Sequence, residues 1–168
     1  MLGVPTSVKN EIYKLASISL CSNSIGQLAT GLMVNPPSID EPSYNQYILE
    51  RTDILASLNR RARRMTEALN TLEGVSCTHI DGAMYAFPTL GLPDNAIKIA
   101  KTKGIEPDEL YCMELLEQTG IVVVPGSGFK QVEGTYHLRT TILPPEENIE
   151  EVVTLLMNFH ASFLKRYS

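Results

Sequence analysis

One arginine lies in a setting suited to binding a carboxylate. Arg139 belongs to residues 136–143, whose alternation of side chains is typical of a β-strand. The alternation places Arg139 on one face with His137 and Thr141, and the more apolar residues on the other. A planar guanidinium held on a strand donates two parallel hydrogen bonds to a carboxylate and stays charged at any working pH. The spacing alone is more often that of an exposed arginine in a weak surface ion pair.

A glycine-containing loop precedes this strand. Residues 125–129 have the sequence Pro-Gly-Ser-Gly-Phe, in which backbone N–H groups could face an anion. The loop lacks the lysine and serine of a nucleotide phosphate loop. The alternative is a tight turn between two strands. Both interpretations stay open at the level of sequence.

The other reactive side chains form no catalytic or metal-binding set. The three cysteines and three histidines are widely spaced, so we predict no disulfide framework, no catalytic nucleophile and no metal site. Cys112 falls within a predicted helix and is expected to pack rather than react. Glu114 and Glu117 share a helix face, as carboxylates do on many surfaces, and we assign them no acid–base role.

Composition narrows the class of partner. The 168 residues carry a net charge of -5 and a pI of about 5.2, which argues against a nucleic-acid partner. No apolar run approaches the roughly 20 residues of a membrane span, so we expect no membrane partner. The basic run at residues 60–64 lies in a strong helical pattern, and we interpret it as a solvated helix face.

Hydrophobic spacing predicts three helices in the first half of the chain. Short helices are expected from Thr6 and over residues 24–33, and two such helices cannot form a core alone. A longer helix of about 30 residues is predicted to begin with a capping box between Ser43 and Gln46 and to stop at Gly74. The proline-rich segment before it places a domain boundary between residues 1–42 and 43–168.

The second half alternates between strand and helix patterns. Residues 75–78 and 83–87 are predicted to form a hairpin-like pair around the Asp81-Gly82 turn. The other predicted elements are helices over 95–103 and 108–119, a buried strand over 121–124, a strand over 135–143, and a final helix with an apolar stripe from Ile149 to Phe163. This pattern predicts an α/β chain with a small, mainly antiparallel sheet flanked by helices.

Several stretches resemble the C-terminal part of alanine aminotransferases, in matching order and spacing. They are residues 20–27, 34–37, 41–44, 82–88, 115–129 and 133–145. The resemblance covers essentially the whole chain. It implies fold type I, with residues 1–42 as a remnant of the large domain that binds pyridoxal phosphate, residues 43–168 as the small domain, and the long helix between domains.

The resemblance also implies an activity and its site. Such enzymes use pyridoxal phosphate to transfer an amino group between alanine and 2-oxoglutarate, and most are homodimers. By the strand motif, Arg139 resembles the arginine that binds the substrate α-carboxylate. Ser22 and Asn23 resemble a segment at the active-site rim or dimer interface. Lys130 departs from the glycine common at its position. We expect a cytoplasmic or mitochondrial compartment, between which this sequence does not distinguish.

The lysine that holds the cofactor covalently in this family has no counterpart by motif here. Of the seven lysines, Lys9 comes nearest, but Asn10 and Glu11 follow it where the family has glycines. We therefore expect no catalytic residue in this chain, and neither cofactor binding nor transamination by the chain alone. The alternatives are an aminotransferase with another amino donor, or a standalone, non-catalytic interaction domain.

Overall fold

The computed structural model describes residues 3–168 and separates them into two compact units. The first unit ends at Arg51, and the second runs from Thr52 to Ser168. The boundary that the sequence places after Pro42 stays a prediction.

The first unit is helical and has no core of its own. Helix α1 spans Thr6–Ile18 and helix α2 spans Ser24–Val34, as the apolar spacing predicts. No residue between positions 3 and 51 is buried. The expectation that two short helices form no core alone is therefore confirmed within this unit.

The long helix predicted from the sequence is present as α3, Tyr44–Thr71. Its 28 residues reach about 42 Å at ~1.5 Å per residue. Gly74 follows in the left-handed region at φ 72°, a conformation that glycine adopts without steric cost. The predicted capping box is wrong, because the Gln46 side chain donates to Glu50 one turn later, at 2.8 Å.

Three helices and part of α3 build the core of the second unit. Helices α4 (Asp94–Lys103), α5 (Pro107–Thr119) and α6 (Ile149–Tyr167) match the predicted ranges closely. Their buried side chains, with those of α3, include Met65, Leu69, Ala96, Ala100, Leu110, Tyr111, Leu115, Val153, Phe159 and Phe163. Within residues 3–168, no helix is long and apolar enough to cross a bilayer.

Two small antiparallel sheets complete the second unit. Strand β1 (Val75–Ser76) pairs with β3 (Thr89–Leu90). Strands β2 (Tyr85–Ala86), β5 (Leu138–Thr141) and β4 (Val124–Pro125) form a sheet in the order β2–β5–β4. The predicted fold class, a small and mainly antiparallel sheet flanked by helices, is confirmed.

Two strand predictions are wrong in detail. The segments around the Asp81-Gly82 turn do not pair as a hairpin, because β1 pairs with β3 and β2 with β5. Non-local pairing thus outweighs the local turn signal. The predicted buried strand over residues 121–124 pairs through Val124 only, and Val122 is 73% exposed.

The basic run of α3 lies on a solvent-accessible helix face, as predicted, and two of its arginines also form surface ion pairs. Arg60 donates to both carboxylate oxygens of Glu146, at 2.6 and 2.9 Å. Arg64 does the same to Glu150, at 2.5 and 2.7 Å. Arg61 donates to two backbone carbonyls just before them, at 3.1 and 2.8 Å. These contacts attach α3 to residues 143–150, the segment that leads into α6.

Candidate functional site

The Arg139 side chain is half-buried between two aromatic rings. It projects from β5, where Arg139 faces Val124 of β4 across the ladder. The central guanidinium carbon lies 4.7 Å from the ring centre of Tyr85 and 4.7 Å from that of Phe129. Rings at this distance attract a cation through their negative faces. The packing limits the rotamers of a side chain that would otherwise be mobile.

No carboxylate of the described chain neutralises this guanidinium. Among residues 3–168, Asp and Glu side chains form ion pairs within 4.0 Å with other cations, and none with Arg139. The Arg139 guanidinium carries five N–H donors in its plane, and none of them forms an ion pair with a described carboxylate. The arrangement therefore leaves a positioned cation whose donors can take an anion in bidentate geometry.

An aromatic cluster extends the same face of the sheet. Phe87 stacks on the His137 ring, with centres 5.0 Å apart and planes 8° apart. Phe87 also meets the Phe129 ring edge to face at 5.7 Å. Strand alternation placed His137 beside Arg139, and the loop over residues 125–129 was a candidate for backbone contacts to an anion. No sequence pattern indicated that the rings of Phe87 and Phe129 meet at this site. Their aromatic type is the one feature that could have indicated them.

The glycine-containing loop is a 3-10 turn over Gly126–Phe129. The Ser127 N–H donates at 2.7 Å to the carboxylate of Asp108, at the beginning of α5. One N–H of the loop therefore does face an anion, but the anion belongs to the chain itself. Lys130 follows in the left-handed region at φ 55°, a strained backbone for a residue with a side chain. A glycine at this position, common in the family that the sequence resembles, would relieve that strain.

Ser22 and Asn23 lie in the first unit, whereas Arg139 lies in the second. Asn23 caps α2, since its side chain accepts a hydrogen bond of 2.9 Å from the Gly26 N–H. Ser22 accepts a hydrogen bond from the Gln27 side chain. Both residues are exposed. A local capping role accounts for Asn23, and the predicted rim or interface role remains a prediction.

Neither a cluster of metal ligands among residues 3–168 nor the buried thiol of Cys112 offers a reactive site. No group of three or more His, Cys, Asp or Glu residues in that range could hold a metal ion. Cys112 is buried, as expected, and burial raises the pKa of its thiol to about 12. A thiol with that pKa is a poor nucleophile at neutral pH.

The lysines do not fit the covalent attachment of a cofactor. No lysine in the described range is buried, whereas an imine-forming lysine is activated by desolvation or by a neighbouring cation. Lys9 is half-buried and lies 5.7 Å from the ring centre of Tyr13. The residues present thus suit a substrate carboxylate better than a cofactor.

The chain resembles one family in sequence. The model of that family, aminotransferase class I and II, matches residues 1–156. A probable mitochondrial alanine aminotransferase of Dictyostelium discoideum is 55% identical over 98% of this chain and 31% of its own length. Glutamate–glyoxylate aminotransferase 2 of Arabidopsis thaliana is 48% identical over 100% of this chain and 35% of its own.

Solved structures agree with this result. An alanine aminotransferase from Pyrococcus furiosus superposes with a TM-score of 0.70 at 26% identity, over 96% of this chain and 36% of the other. A multiple substrate aminotransferase from Thermococcus profundus gives 0.57 at 28% identity, over 90% and 33%. The chain spans about a third of the length of the relatives it matches.

Proposed function

Because this chain belongs to the class I and II aminotransferases, we propose that it is part of an alanine:2-oxoglutarate aminotransferase in which Arg139 binds the substrate α-carboxylate. Its substrates would be amino acids and 2-oxo acids. The identity to alanine aminotransferases over nearly the whole chain supports the amino donor. The names of these relatives are compatible with either the mitochondrion or the cytoplasm.

One observation carries the role of Arg139. Its guanidinium is held between Tyr85 and Phe129, and no carboxylate of the described chain pairs with it. A half-buried cation without an internal partner gains most from an incoming anion, because part of its hydration has already been lost. An α-amino acid supplies that anion as a planar carboxylate, which matches the guanidinium fork.

The family generally depends on pyridoxal phosphate, which supplies an electron sink for bond changes at the substrate α-carbon. The lysines of the described chain do not fit its attachment. We therefore propose that the remainder of the enzyme holds the cofactor, while this chain binds and orients the carboxylate end of the substrate. Orientation lowers the barrier, since it fixes the reacting bond relative to the cofactor before reaction.

The test replaces Arg139 in the full-length enzyme. Arg139→Gln removes the charge, and Arg139→Lys keeps it but removes the planar fork. We expect Arg139→Gln to reduce kcat/KM for alanine about 10- to 100-fold, the loss expected for a charged hydrogen-bonded contact. The kcat/KM of Arg139→Lys for alanine should lie between those of the wild type and Arg139→Gln.

Arg166→Gln is the matched control, because this arginine pairs with Glu114 instead, at 2.7 Å. It should leave kcat/KM for alanine near the wild-type value. In the same assay, the 168-residue chain alone should show no turnover with added cofactor. Wild-type kcat/KM in Arg139→Gln would refute the assignment.

A second candidate is amino transfer from glutamate to glyoxylate. It is favoured by the two glutamate–glyoxylate aminotransferases of Arabidopsis thaliana, each 48% identical to this chain. Arg139 serves either reaction, because both donors carry an α-carboxylate. Comparing alanine and glutamate as donors, with 2-oxoglutarate and glyoxylate as acceptors, separates the candidates. A preference for glyoxylate over 2-oxoglutarate would favour the second.

We also propose that the full-length enzyme is a homodimer with Ser22 and Asn23 at the active-site rim or subunit interface. Their exposure supports this proposal. Asn23→Ser retains a capping side chain for α2, so it separates the interface role from the local one. Dissociation of the dimer by Asn23→Ser, measured by sedimentation, supports the interface. An unchanged dimer with unchanged kinetics opposes it.

A further inference from the structure

A fully buried carboxylate lies behind the turn that carries Phe129. Asp108 is 0% exposed and accepts hydrogen bonds from the Ser127 N–H at 2.7 Å and the Gln131 side-chain amide at 2.8 Å. It also accepts from the Glu109 N–H at 3.1 Å. No cation among residues 3–168 forms an ion pair with it. Such burial is costly unless the hydrogen bonds are satisfied.

The two strongest of these bonds hold both ends of one short segment. Ser127 and Gln131 flank Phe129, the residue whose ring lies 4.7 Å from the Arg139 guanidinium. Asp108 therefore fixes the turn on either side of the ring that supports the arginine. Its position in the first turn of α5 adds the favourable field of the helix N-terminus.

A second series of contacts connects the Asp108 carboxylate to the Phe129 ring. The Asp108 carboxylate accepts from the amide nitrogen of Gln131, so the amide oxygen faces Nδ1 of His137 at 2.8 Å. An amide oxygen can only accept, and Nδ1 of His137 must therefore carry a proton. This bond fixes the imidazole that stacks on Phe87, and Phe87 meets Phe129 edge to face.

We propose that Asp108 is a positioning residue for Arg139, acting through the Gly126–Phe129 turn and through Gln131 and His137. The proposal rests on the carboxylate-binding function proposed for Arg139. Asp108 itself does not touch substrate. It keeps Phe129 in place directly, and through His137 it keeps Phe87, which meets Phe129 edge to face. Phe129, together with Tyr85, holds the guanidinium where a bidentate contact forms. Small displacements at such a site are costly, because catalysis depends on the orientation of the substrate.

The experiment is a double-mutant cycle in the full-length enzyme with Asp108→Asn and Arg139→Lys. An asparagine cannot satisfy all three N–H groups around position 108, since its amide nitrogen is itself a donor. We expect Asp108→Asn to raise the KM for alanine about five- to tenfold with kcat changed less than about twofold. In the Arg139→Lys background its effect should fall below about twofold, because coupled residues are non-additive.

Tyr111→Phe is the matched control on the same helix. It removes the buried contact of 3.0 Å with His160 and should lower stability while leaving the KM for alanine unchanged. If Asp108→Asn does not fold by circular dichroism, Gln131→Met enters the same cycle, with an expected rise in KM of about threefold.

The outcomes separate the two proposals. If Arg139→Gln leaves kcat/KM for alanine at the wild-type value, the function of Arg139 fails, and the role of Asp108 fails with it. If Arg139→Lys raises KM but the effect of Asp108→Asn is equal in both backgrounds, Arg139 keeps its function and Asp108 is only structural. An Asp108→Asn enzyme with wild-type kinetics likewise overturns the positioning role.

Discussion

The arginines of this chain show how surroundings decide what a side chain can do. Arg60 and Arg64 each hold a carboxylate in bidentate contact, and Arg166 donates to Glu114. Their donors are engaged inside the protein, and their effect is local attachment. Arg139 has aromatic rings instead of a carboxylate. A ring retains the cation without using its donors, so the hydrogen-bonding capacity remains for a ligand.

Gly126, in the turn before Phe129, has no room for a side chain. A Cβ there would lie 2.7 Å from Cβ of His137 and 2.9 Å from its carbonyl oxygen, so backbone must move. We predict that Gly126→Ala destabilises the protein by about 1–3 kcal/mol, as overpacking does, and raises the KM for alanine. Gly128→Ala is the control, because nothing lies within 4 Å of its Cβ position. Urea denaturation should show a lower midpoint for Gly126→Ala than for Gly128→Ala. Equal midpoints would contradict the predicted overpacking at position 126.

At the scale of elements, charged side chains attach the segment that leads into α6 to helix α3. Glu146 accepts from both Arg60 and Ser57. These hydrogen bonds, that of Arg60 first, lower the pKa of Glu146 to about 2 from an ordinary value of 4.5. A carboxylate whose folded pKa is depressed stabilises the fold above its unfolded pKa and loses that contribution as the pH falls toward the folded value.

We therefore predict that Glu146→Gln lowers the thermal midpoint at pH 7, and that its difference from wild type shrinks as the pH falls from about 4.5 toward 2. Glu147→Gln is the matched control, since Glu147 is exposed and forms no ion pair among the described residues. Scanning calorimetry at several pH values measures the thermal midpoints of both variants and of the wild type. A Glu146→Gln difference that does not depend on pH would show that the ion pair is not the cause.

The positions of helices were easier to predict from the sequence than the pairing of strands. The six helices follow from apolar residues at helical spacing and from stops such as Gly74 and Gly120, because these signals act within a few residues. The pairing of β1 with β3, and of β2 with β5, joins segments whose alternation does not identify a partner. For the same reason, alternation placed Arg139 on its face of β5 but did not indicate Phe129 or Asp108.

At the scale of the whole molecule, the two units differ in how they are stabilised. The second unit buries a core of aliphatic and aromatic side chains, and burial of such surface is the main stabilising contribution to folding. The first unit, over residues 3–51, buries no residue. Helices of 13 and 11 residues are marginal in water without tertiary packing. The first unit therefore gains little stability from buried side chains.

Exposed apolar side chains of the first unit indicate how the 168-residue chain behaves in solution. Large examples on α1 and α2 include Leu15, Ile18, Ile25 and Leu32, and Ile18 is 81% exposed. Contiguous exposed apolar surface associates, because association removes it from water. We predict that the chain self-associates in sedimentation velocity experiments. Replacing Ile25 and Leu32 together by glutamate should shift it toward the monomer.

Thr30→Glu on α2 is the control for added charge, because Thr30 is already polar and exposed. It should leave the distribution of species close to that of the wild-type chain. The reason is that association here depends on the loss of apolar surface rather than on net charge, which is already -5. A wild-type chain that sediments as a monomer at its highest soluble concentration would contradict the prediction. It would mean that these side chains do not drive association.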